Sequence, residues 1–353
     1  MRNTSVEPVT TVEQSTIRAV IAPYVVSRLF SDVLIAGMAA GAGHALVRQG
    51  FARWDGRWYT AIARSGYPST IIRGHYSAWA FFPLLPAAMH VLGWFDLPLW
   101  LAGVLLSHAA FLVALLGLHR LLAPRFSPRA TRLAVWTLAL FPAALAFSMV
   151  YPSSIFLAAS VWAFVFLDEH RDLAAGLCAA AATLARPNGF VLVVALAVAV
   201  GLDLDRLRRA CGPAIVALGG WMLYNLAATG NPLTFFVVKR AWQEITLLSI
   251  VGPHTDTALI HLSLAATALA LVFAARHRIP RSWSLLTVLY VVPSLALGIV
   301  GMGRYANECF PPFASAGHIL SRRNVYVRGA AFTALVVGQV GFAYWVIGTG
   351  HIV

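Results

Sequence analysis

Carboxylates are scarce in this chain, so the groups that could act as a general acid or base can be enumerated. Only 13 of the 353 residues are aspartate or glutamate. Asp55 lies in a polar stretch that combines acidic, basic and aromatic side chains, Arg53-Trp54-Asp55-Gly56-Arg57-Trp58-Tyr59. A positioned carboxylate beside arginines could take a proton from a hydroxyl group while guanidinium groups stabilise an anionic leaving group. Asp55 is therefore the candidate catalytic residue.

The stretch around Asp55 is amphipathic if it is helical. Trp54 and Trp58 then share an apolar face, and Asp55 and Tyr59, four residues apart, lie at its edge. This pattern predicts an interfacial helix whose aromatic rings anchor it at a lipid surface. The plainer interpretation is a surface helix in which Asp55 only pairs with a neighbouring arginine such as Arg57.

Arginine supplies nearly all of the positive charge. There are 26 basic residues, of which all but Lys239 are arginine, and the formal net charge is +13. Because the planar guanidinium fork suits phosphate, a phosphate-binding site is expected among these residues. The candidates for binding a donor phosphate or the substrate are Arg304, Arg186, Arg57 and Arg240, with Tyr59 and Tyr305.

Some embedded charges have a plainer interpretation. Arg304 could be a topological anchor, and Arg186 could cap a pair of half-helices. Arg28 and Asp32, four residues apart in the first apolar segment, are expected to pair with each other.

The sequence predicts neither a cofactor nor a metal site. The three cysteines have no CxxC spacing. His44, His75 and His254, which lie in or beside the polar segments, share no metal-ligand spacing with an acid. The first polar loop has no DxD motif, and the chain has no glycine-rich phosphate loop.

Composition defines the class of protein that must position these residues. The chain is 59% hydrophobic and 11% charged, and its mean hydropathy is +0.76. Soluble domains carry about 25% charged residues. A soluble enzyme and a disordered chain are therefore excluded, and the arginines are expected to meet membrane lipids and phosphates, not nucleic acid.

The apolar runs predict an all-α, polytopic membrane protein with about eleven spans in a single domain over 1–353. Two segments are ambiguous: 79–95 contains two prolines, and 173–201 is interrupted by Arg186-Pro187-Asn188-Gly189. The clear spans are 24–47, 98–119, 132–150, 153–167, 210–228, 258–275, 282–300, 305–320 and 329–348.

The positive-inside rule favours one arrangement of the ambiguous segments. Segment 79–95 then lies at the interface, and residues 186–189 form an external turn between two short helices. In the alternative, 79–95 crosses the membrane and 173–201 is one helix. Both arrangements give a cytoplasmic tail at 1–23 and external loops at 48–78 and 229–257. The alternatives to Asp55 among the carboxylates expected on the outer side are then Glu244, Asp256 and Glu308.

Several motifs resemble one family. The Asp55 stretch and the following Ile62-Ala63-Arg64-Ser65-Gly66-Tyr67 are similar to the first-loop motif RWDxxx[FY]xxIAxxGY of the PIG-V (GPI mannosyltransferase 2) family and its bacterial relatives. Residues 80–86 resemble the next block, AFFPLxP. Weaker similarities follow in order at 186–189, 230–233 and 304–305, so the resemblance covers residues 24 to 320.

The chain departs from the family at Tyr151-Pro152-Ser153-Ser154, where the family often has a tyrosine followed shortly by Glu-Ser. The missing acid puts in doubt a shared role for it or an identical acceptor.

The resemblance implies a GT-C type glycosyltransferase of the bacterial plasma membrane, with its active site on the outer face. Such enzymes transfer a sugar from a polyprenyl-phosphate donor, here mannose, with inversion at the anomeric carbon. The expected acceptor is a lipid-linked or cell-envelope glycan, and a loop carboxylate, here Asp55, activates its hydroxyl group.

Two alternatives stay open from the sequence. A transporter or lipid flippase would use Arg28, Asp32 and Arg186 as a polar pathway, although the chain lacks the internal repeat that many transporters have. A GT-C enzyme could also transfer a different sugar, because spacing does not reveal which hydroxyl groups a pocket binds.

Overall fold

The computed structural model describes residues 9–43, 48–71, 75–242, 255–296, 299 and 301–349. Over these residues the chain is helical and forms no strand. The α-helices are, in chain order, α1 (Val9–Gly41), α2 (Arg48–Phe51), α3 (Asp55–Ser65), α4 (Leu84–Gly93), α5 (Leu99–Leu122), α6 (Pro128–Ala139), α7 (Ser153–Asp168), α8 (Asp172–Ala185), α9 (Val191–Val200), α10 (Leu204–Thr229), α11 (Thr234–Val237), α12 (Thr255–Ala274), α13 (Arg281–Ala296), α14 (Met302–Glu308), α15 (Pro311–Ser321) and α16 (Val325–Ala343). Short 3-10 helices occupy Ala78–Ala80, Pro142–Phe147 and Val238–Trp242, and a π-helical turn, Tyr344–Gly348, extends α16.

Five segments are long and apolar enough to cross a membrane, so the chain is a multi-pass membrane protein. They are Ala19–Gly41, Leu99–Leu122, Leu204–Thr229, Thr255–Ala274 and Val325–Gly348. Shorter apolar helices accompany them, including α4, α7, α8 and α9. The total of about eleven spans stays a prediction.

The structure corrects three of the expected element boundaries. The first helix begins at Val9, inside the segment assigned to the tail. The expected span 132–150 is interrupted, because α6 ends at Ala139 and Pro142, which has no N–H to donate, opens a 3-10 helix. The expected span 305–320 is divided in the same way before Pro311, where α15 begins.

The ambiguous segment 173–201 is broken into two helices, α8 and α9. Arg186 is extended, with φ −150° and ψ 149°, as the residue before a proline prefers to be. Gly189 allows the turn to close tightly, since a Cβ atom there would lie 2.0 Å from the Ala182 carbonyl oxygen. The structure thus has the break that the favoured arrangement requires.

The helices carry the polar segments to two ends of the bundle. Helix α7 has 16 residues and is about 24 Å long, so Ser153 and Asp168 lie at different ends. Ser153 belongs to what we call the Asp55 end, because Arg186 and Glu308 gather beside it. Asp168 belongs to the opposite end, where it pairs with Arg125.

The polar segment after α1 is folded onto the Asp55 end. The Val150 N–H donates to the Phe51 carbonyl at 2.9 Å, which joins α2 to the turn before α7. The ring of Tyr67 stacks on Trp79, with centroids 4.7 Å apart, and packs against Trp221 of α10 at 5.2 Å. These contacts hold the predicted helix, α3, in place.

Candidate active site

Asp55 is the first residue of α3 and is directed into the bundle. The preceding residue, Trp54, has a positive φ of 54°, a backbone conformation that a bulky side chain rarely adopts. The turn at Trp54 is therefore strained, and the Asp55 carboxylate that follows it faces Arg304 of α14. Gly56 packs against Val150, which a Cβ atom would approach to 3.3 Å.

The carboxylate of Asp55 pairs with an arginine that is distant in the sequence. Arg304 Nη1 donates to Asp55 Oδ2 at 2.6 Å, across 249 residues of chain. The Arg304 side chain is 6% exposed, and that of Asp55 is 21% exposed. Arg304 Cζ also lies 4.7 Å from the centre of the Tyr151 ring. The arginine is thus enclosed, while the carboxylate keeps one open edge.

A second ion pair lies deeper. Arg186 Nη2 is 2.5 Å from Glu308 Oε1, and the Glu308 side chain is fully buried. Tyr290 donates its hydroxyl proton to Glu308 Oε2 at 2.6 Å, and Arg186 Nη2 also donates to Ser153 Oγ at 2.9 Å.

Tyr305 lies between the two pairs. Its ring centre is 5.9 Å from Arg304 Cζ and 5.5 Å from Arg186 Cζ. We call these residues the Asp55 cluster. Its members are Asp55, Arg304, Arg186 and Glu308 with Tyr151, Tyr290 and Tyr305. The four charges sum to zero, so binding an anion would require their rearrangement or another cation.

The cluster keeps unused hydrogen-bonding capacity. Among the described residues, the buried Nε–H groups of Arg186 and Arg304 have no acceptor. Buried polar groups are nearly always hydrogen-bonded in native structures. These donors are therefore available to a polar ligand.

The structure brings together most of the residues that the sequence singled out. Asp55, Arg304, Arg186 and Tyr305 meet in the cluster. Tyr59, one turn along α3 from Asp55, is 4% exposed, and burial raises the pKa of its phenol.

Two candidates are not brought into this group. Arg57 is exposed and lines a groove on the other side of α3, because two helical residues turn the side chain by about 200°. The side chain of Arg240 lies outside the described residues, as do residues 243–254 of the second polar loop, which include Glu244.

Sequence reasoning placed Glu308 only among the alternative outer carboxylates and did not place Tyr290 at all. Glu308 is four residues after Arg304, a spacing that puts both on one helix face. That spacing is the sequence feature that could have indicated Glu308 as a neighbour of Arg304. The block Tyr151-Pro152-Ser153, which departs from the family motif, supplies two side chains to the site.

The expected pair between Arg28 and Asp32 is wrong. Arg28 instead donates to the Ala144 carbonyl at 3.0 Å and to Ser148 Oγ at 2.9 Å. Asp32 Oδ1 lies 3.5 Å from His108 Nε2. Arg28 also donates to the carbonyl of Ala139, the last residue of α6, at 3.4 Å.

The described residues include no group of three His, Cys, Asp or Glu side chains placed to hold a metal ion.

Solved structures similar to this chain include the oligosaccharyltransferase of Archaeoglobus fulgidus tethered to an acceptor peptide containing the NVT sequon. The TM-score is 0.52 at 13% sequence identity, over 93% of this chain and 55% of that chain. The fold is of the GT-C type. The same organism's oligosaccharyltransferase AglB, in complex with an inhibitory peptide and a dolichol-phosphate, gives a TM-score of 0.49 at 13% identity, covering 93% of this chain and 55% of that one.

This chain spans about half the length of those enzymes. No family model and no curated protein matches the sequence. The GT-C fold implied by the first-loop motif is therefore confirmed, whereas membership of the PIG-V family stays a prediction.

Proposed function

We propose that this protein is an inverting membrane glycosyltransferase that uses polyprenyl-phosphate mannose. Its acceptor is a lipid-linked or cell-envelope glycan at the outer face of a bacterial plasma membrane. The observation that carries the proposal is the Asp55–Arg304 ion pair, 2.6 Å long, at one end of a GT-C fold. The pair supports the proposal because it holds a partly exposed carboxylate beside a guanidinium, a group whose geometry suits phosphate.

Asp55 is the general base. The acceptor hydroxyl gives its proton to the Asp55 carboxylate as its oxygen attacks the anomeric carbon. The bond from that carbon to the phosphate oxygen breaks, and the electron pair leaves with the phosphate. Glycosidases need a second carboxyl group to protonate an alkoxide leaving group. A phosphate leaves as a stable anion, so one carboxylate is sufficient.

Arg304 and Arg186 bind the donor phosphate. Charge-assisted bonds from guanidinium to phosphate are stronger than bonds between neutral groups, and both residues have an Nε–H without an acceptor among the described residues. Arg304 touches Asp55 as well, so an arriving phosphate competes for it and frees the carboxylate to face the acceptor. Tyr59 and Tyr305 enclose the site.

The test is a single-turnover assay of Asp55→Asn with labelled polyprenyl-phosphate mannose. Asparagine keeps the size of the side chain but cannot take the proton, so we expect the rate of transfer to fall by about 10²–10⁴-fold while donor binding persists. The matched control is Asp205→Asn, which alters an exposed ion pair at the opposite end. A rate for Asp55→Asn above about a tenth of the wild type contradicts general-base catalysis of this size.

The same assay separates an enzyme from a transporter or flippase. An enzyme transfers the labelled sugar to endogenous lipid or glycan, whereas a transporter binds the donor without transfer. Mass spectrometry of envelope glycans from a deletion strain then identifies the sugar and its acceptor.

The proposal also fixes the orientation of the chain. The Asp55 end faces the cell exterior, and the N-terminus and the opposite end face the cytoplasm, as the arginine distribution favours. A cysteine introduced at Ser69 should react with an impermeant reagent in intact cells, and one at Ser321 should not. Labelling at Ser321 alone contradicts this orientation.

A further inference from the structure

A groove on the outside of α3 is separate from the Asp55 cluster. Its volume is about 670 Å³, and its lining includes Arg48 of α2, Arg57 and Arg64 of α3, and Leu99 and Trp100 of α5. Arg57 and Arg64 are about 200° and 180° around α3 from Asp55, at 100° per residue. The groove and the cluster thus lie on opposite sides of the same helix.

The three arginines around this groove are exposed. None of them lies within ion-pair distance of a carboxylate among the described residues. Arg57 and Arg64 are seven residues apart on one face of α3, which separates them by about 10 Å along the helix. The groove thus offers several guanidinium forks without a partner, a surface complementary to phosphate.

The opposite wall of the groove is apolar. Pro98, Leu99 and Trp100 form it at the start of α5. Just before them in the chain, Trp94 is 71% exposed and Phe95 is 77% exposed. Exposed aromatic side chains are enriched at the level of lipid headgroups in membrane proteins. A ligand that fits both walls has an anionic head and a hydrocarbon chain.

We propose that this arginine groove binds the phosphate headgroup of an anionic membrane lipid, with the acyl chains along Leu99 and Trp100. The lipid holds α3, and with it the Asp55 end, at the membrane surface. The site is independent of the proposed glycosyl transfer, because its residues lie on the other side of α3 from Asp55.

Native mass spectrometry of the full chain in detergent tests this site by binding alone. Dimyristoyl phosphatidylglycerol is titrated against the wild type and against the triple variant Arg48→Ala, Arg57→Ala, Arg64→Ala. Each basic residue near an anionic lipid contributes about fivefold to the affinity. We therefore expect the affinity of the triple variant for this lipid to be roughly hundredfold lower than that of the wild type. Phosphatidylcholine, which has no net charge, should bind the wild type more weakly.

The matched control removes the same charge elsewhere. Arg129, Arg322 and Arg323 are exposed, and their triple alanine variant should bind phosphatidylglycerol as the wild type does. An equal loss in both triple variants, or no loss in the groove variant, overturns the proposal. If the groove triple variant does not fold, the single variant Arg57→Ala should bind phosphatidylglycerol with about fivefold lower affinity than the wild type.

A further experiment distinguishes whether the groove binds a lipid or free phosphate. Trp100→Ala should weaken binding of the long-chain lipid, and millimolar inorganic phosphate should displace little of it. Displacement by inorganic phosphate, together with no effect of Trp100→Ala, overturns the assignment to a lipid.

Discussion

The two ends of the molecule carry the same kinds of ion pair in opposite surroundings. In the Asp55 cluster, the side chains of Arg186 and Glu308 are 6% and 0% exposed. At the opposite end, those of Arg208 and Asp205 are 81% and 66% exposed. Arg120–Glu169 also lies at that end with both side chains partly exposed, and Arg206–Asp172 is intermediate, because the Asp172 side chain is only 7% exposed.

This difference in burial indicates whether each set of ion pairs serves stability or function. Removing two charges from water costs several kcal/mol per ion, and an apolar pair of similar volume is often as stable or more so. Exposed ion pairs change the free energy of unfolding only slightly, whether they stabilise or destabilise the fold. Stability alone therefore does not account for the buried pairs, and charges inside a membrane protein generally mark a functional site. The exposed Arg208–Asp205 pair needs no such explanation.

The largest difference between the two ends is expected when one partner of a pair is neutralised. Glu308→Gln leaves Arg186 as a buried, unpaired charge, which should lower the free energy of unfolding by about 3–5 kcal/mol. The matched change Asp205→Asn should alter it by about 1 kcal/mol or less. Unfolding of both variants in the same detergent measures the difference.

A double variant shows whether the loss comes from the unpaired charge. Arg186→Met combined with Glu308→Leu removes both charges, so it should be more stable than Glu308→Gln alone. Equal destabilisation of Glu308→Gln and Asp205→Asn would instead mean that burial does not distinguish the two ends.

The next largest effect is expected on the rate of transfer from the sugar donor. Arg304→Ala removes a charge-assisted contact to phosphate worth about 1.5–3 kcal/mol, so transfer should fall roughly ten- to hundredfold. A donor titration checks it, with Arg208→Ala as the control that removes an exposed arginine. Arg304→Lys keeps the charge without the planar fork and should recover only part of the loss. Normal kinetics in Arg304→Ala would remove this residue from the site.

A smaller effect tests the backbone that positions Arg186. Gly189→Ala places a methyl group where the Ala182 carbonyl oxygen is 2.0 Å away, and such overpacking costs about 1–3 kcal/mol. The control is Gly219→Ala in α10, where nothing lies within 4 Å. Alanine is favoured over glycine inside a helix by about 0.5–1 kcal/mol, so the control should gain stability. Thermal unfolding of the two variants should therefore shift in opposite directions.

The sequence predicted what depends on local pattern. Hydropathy predicted a helical membrane protein, the residues around Asp55 predicted a helix there, and the arginine distribution favoured the break at residues 186–189 between α8 and α9. Long-range pairing could not be predicted in this way. Nothing in the sequence indicates that Arg186 meets Glu308 or that Arg304 meets Asp55, because those contacts depend on how the helices are arranged.

The same limit explains the error at Arg28. Local spacing placed Asp32 one helical turn away and favoured a pair between them. The segment after Pro142 brings the Ala144 carbonyl and the Ser148 hydroxyl group to Arg28, and the arginine donates to those groups instead. A single helix considered alone does not include these competing acceptors.

The smallest effect is expected at the most exposed pair. Arg208→Ala removes a guanidinium that is 81% exposed and paired with Asp205 three residues earlier in α10. Water and salt screen such a pair, since the Debye length is about 8 Å at physiological ionic strength. Stability should therefore change by about 1 kcal/mol or less, and even that change should shrink as salt is raised. The loss in Glu308→Gln should persist in high salt, because buried pairs are screened much less. Unfolding of both variants at low and high salt measures the contrast, and a loss in Glu308→Gln that disappears in high salt would mean that water and ions reach the Asp55 cluster.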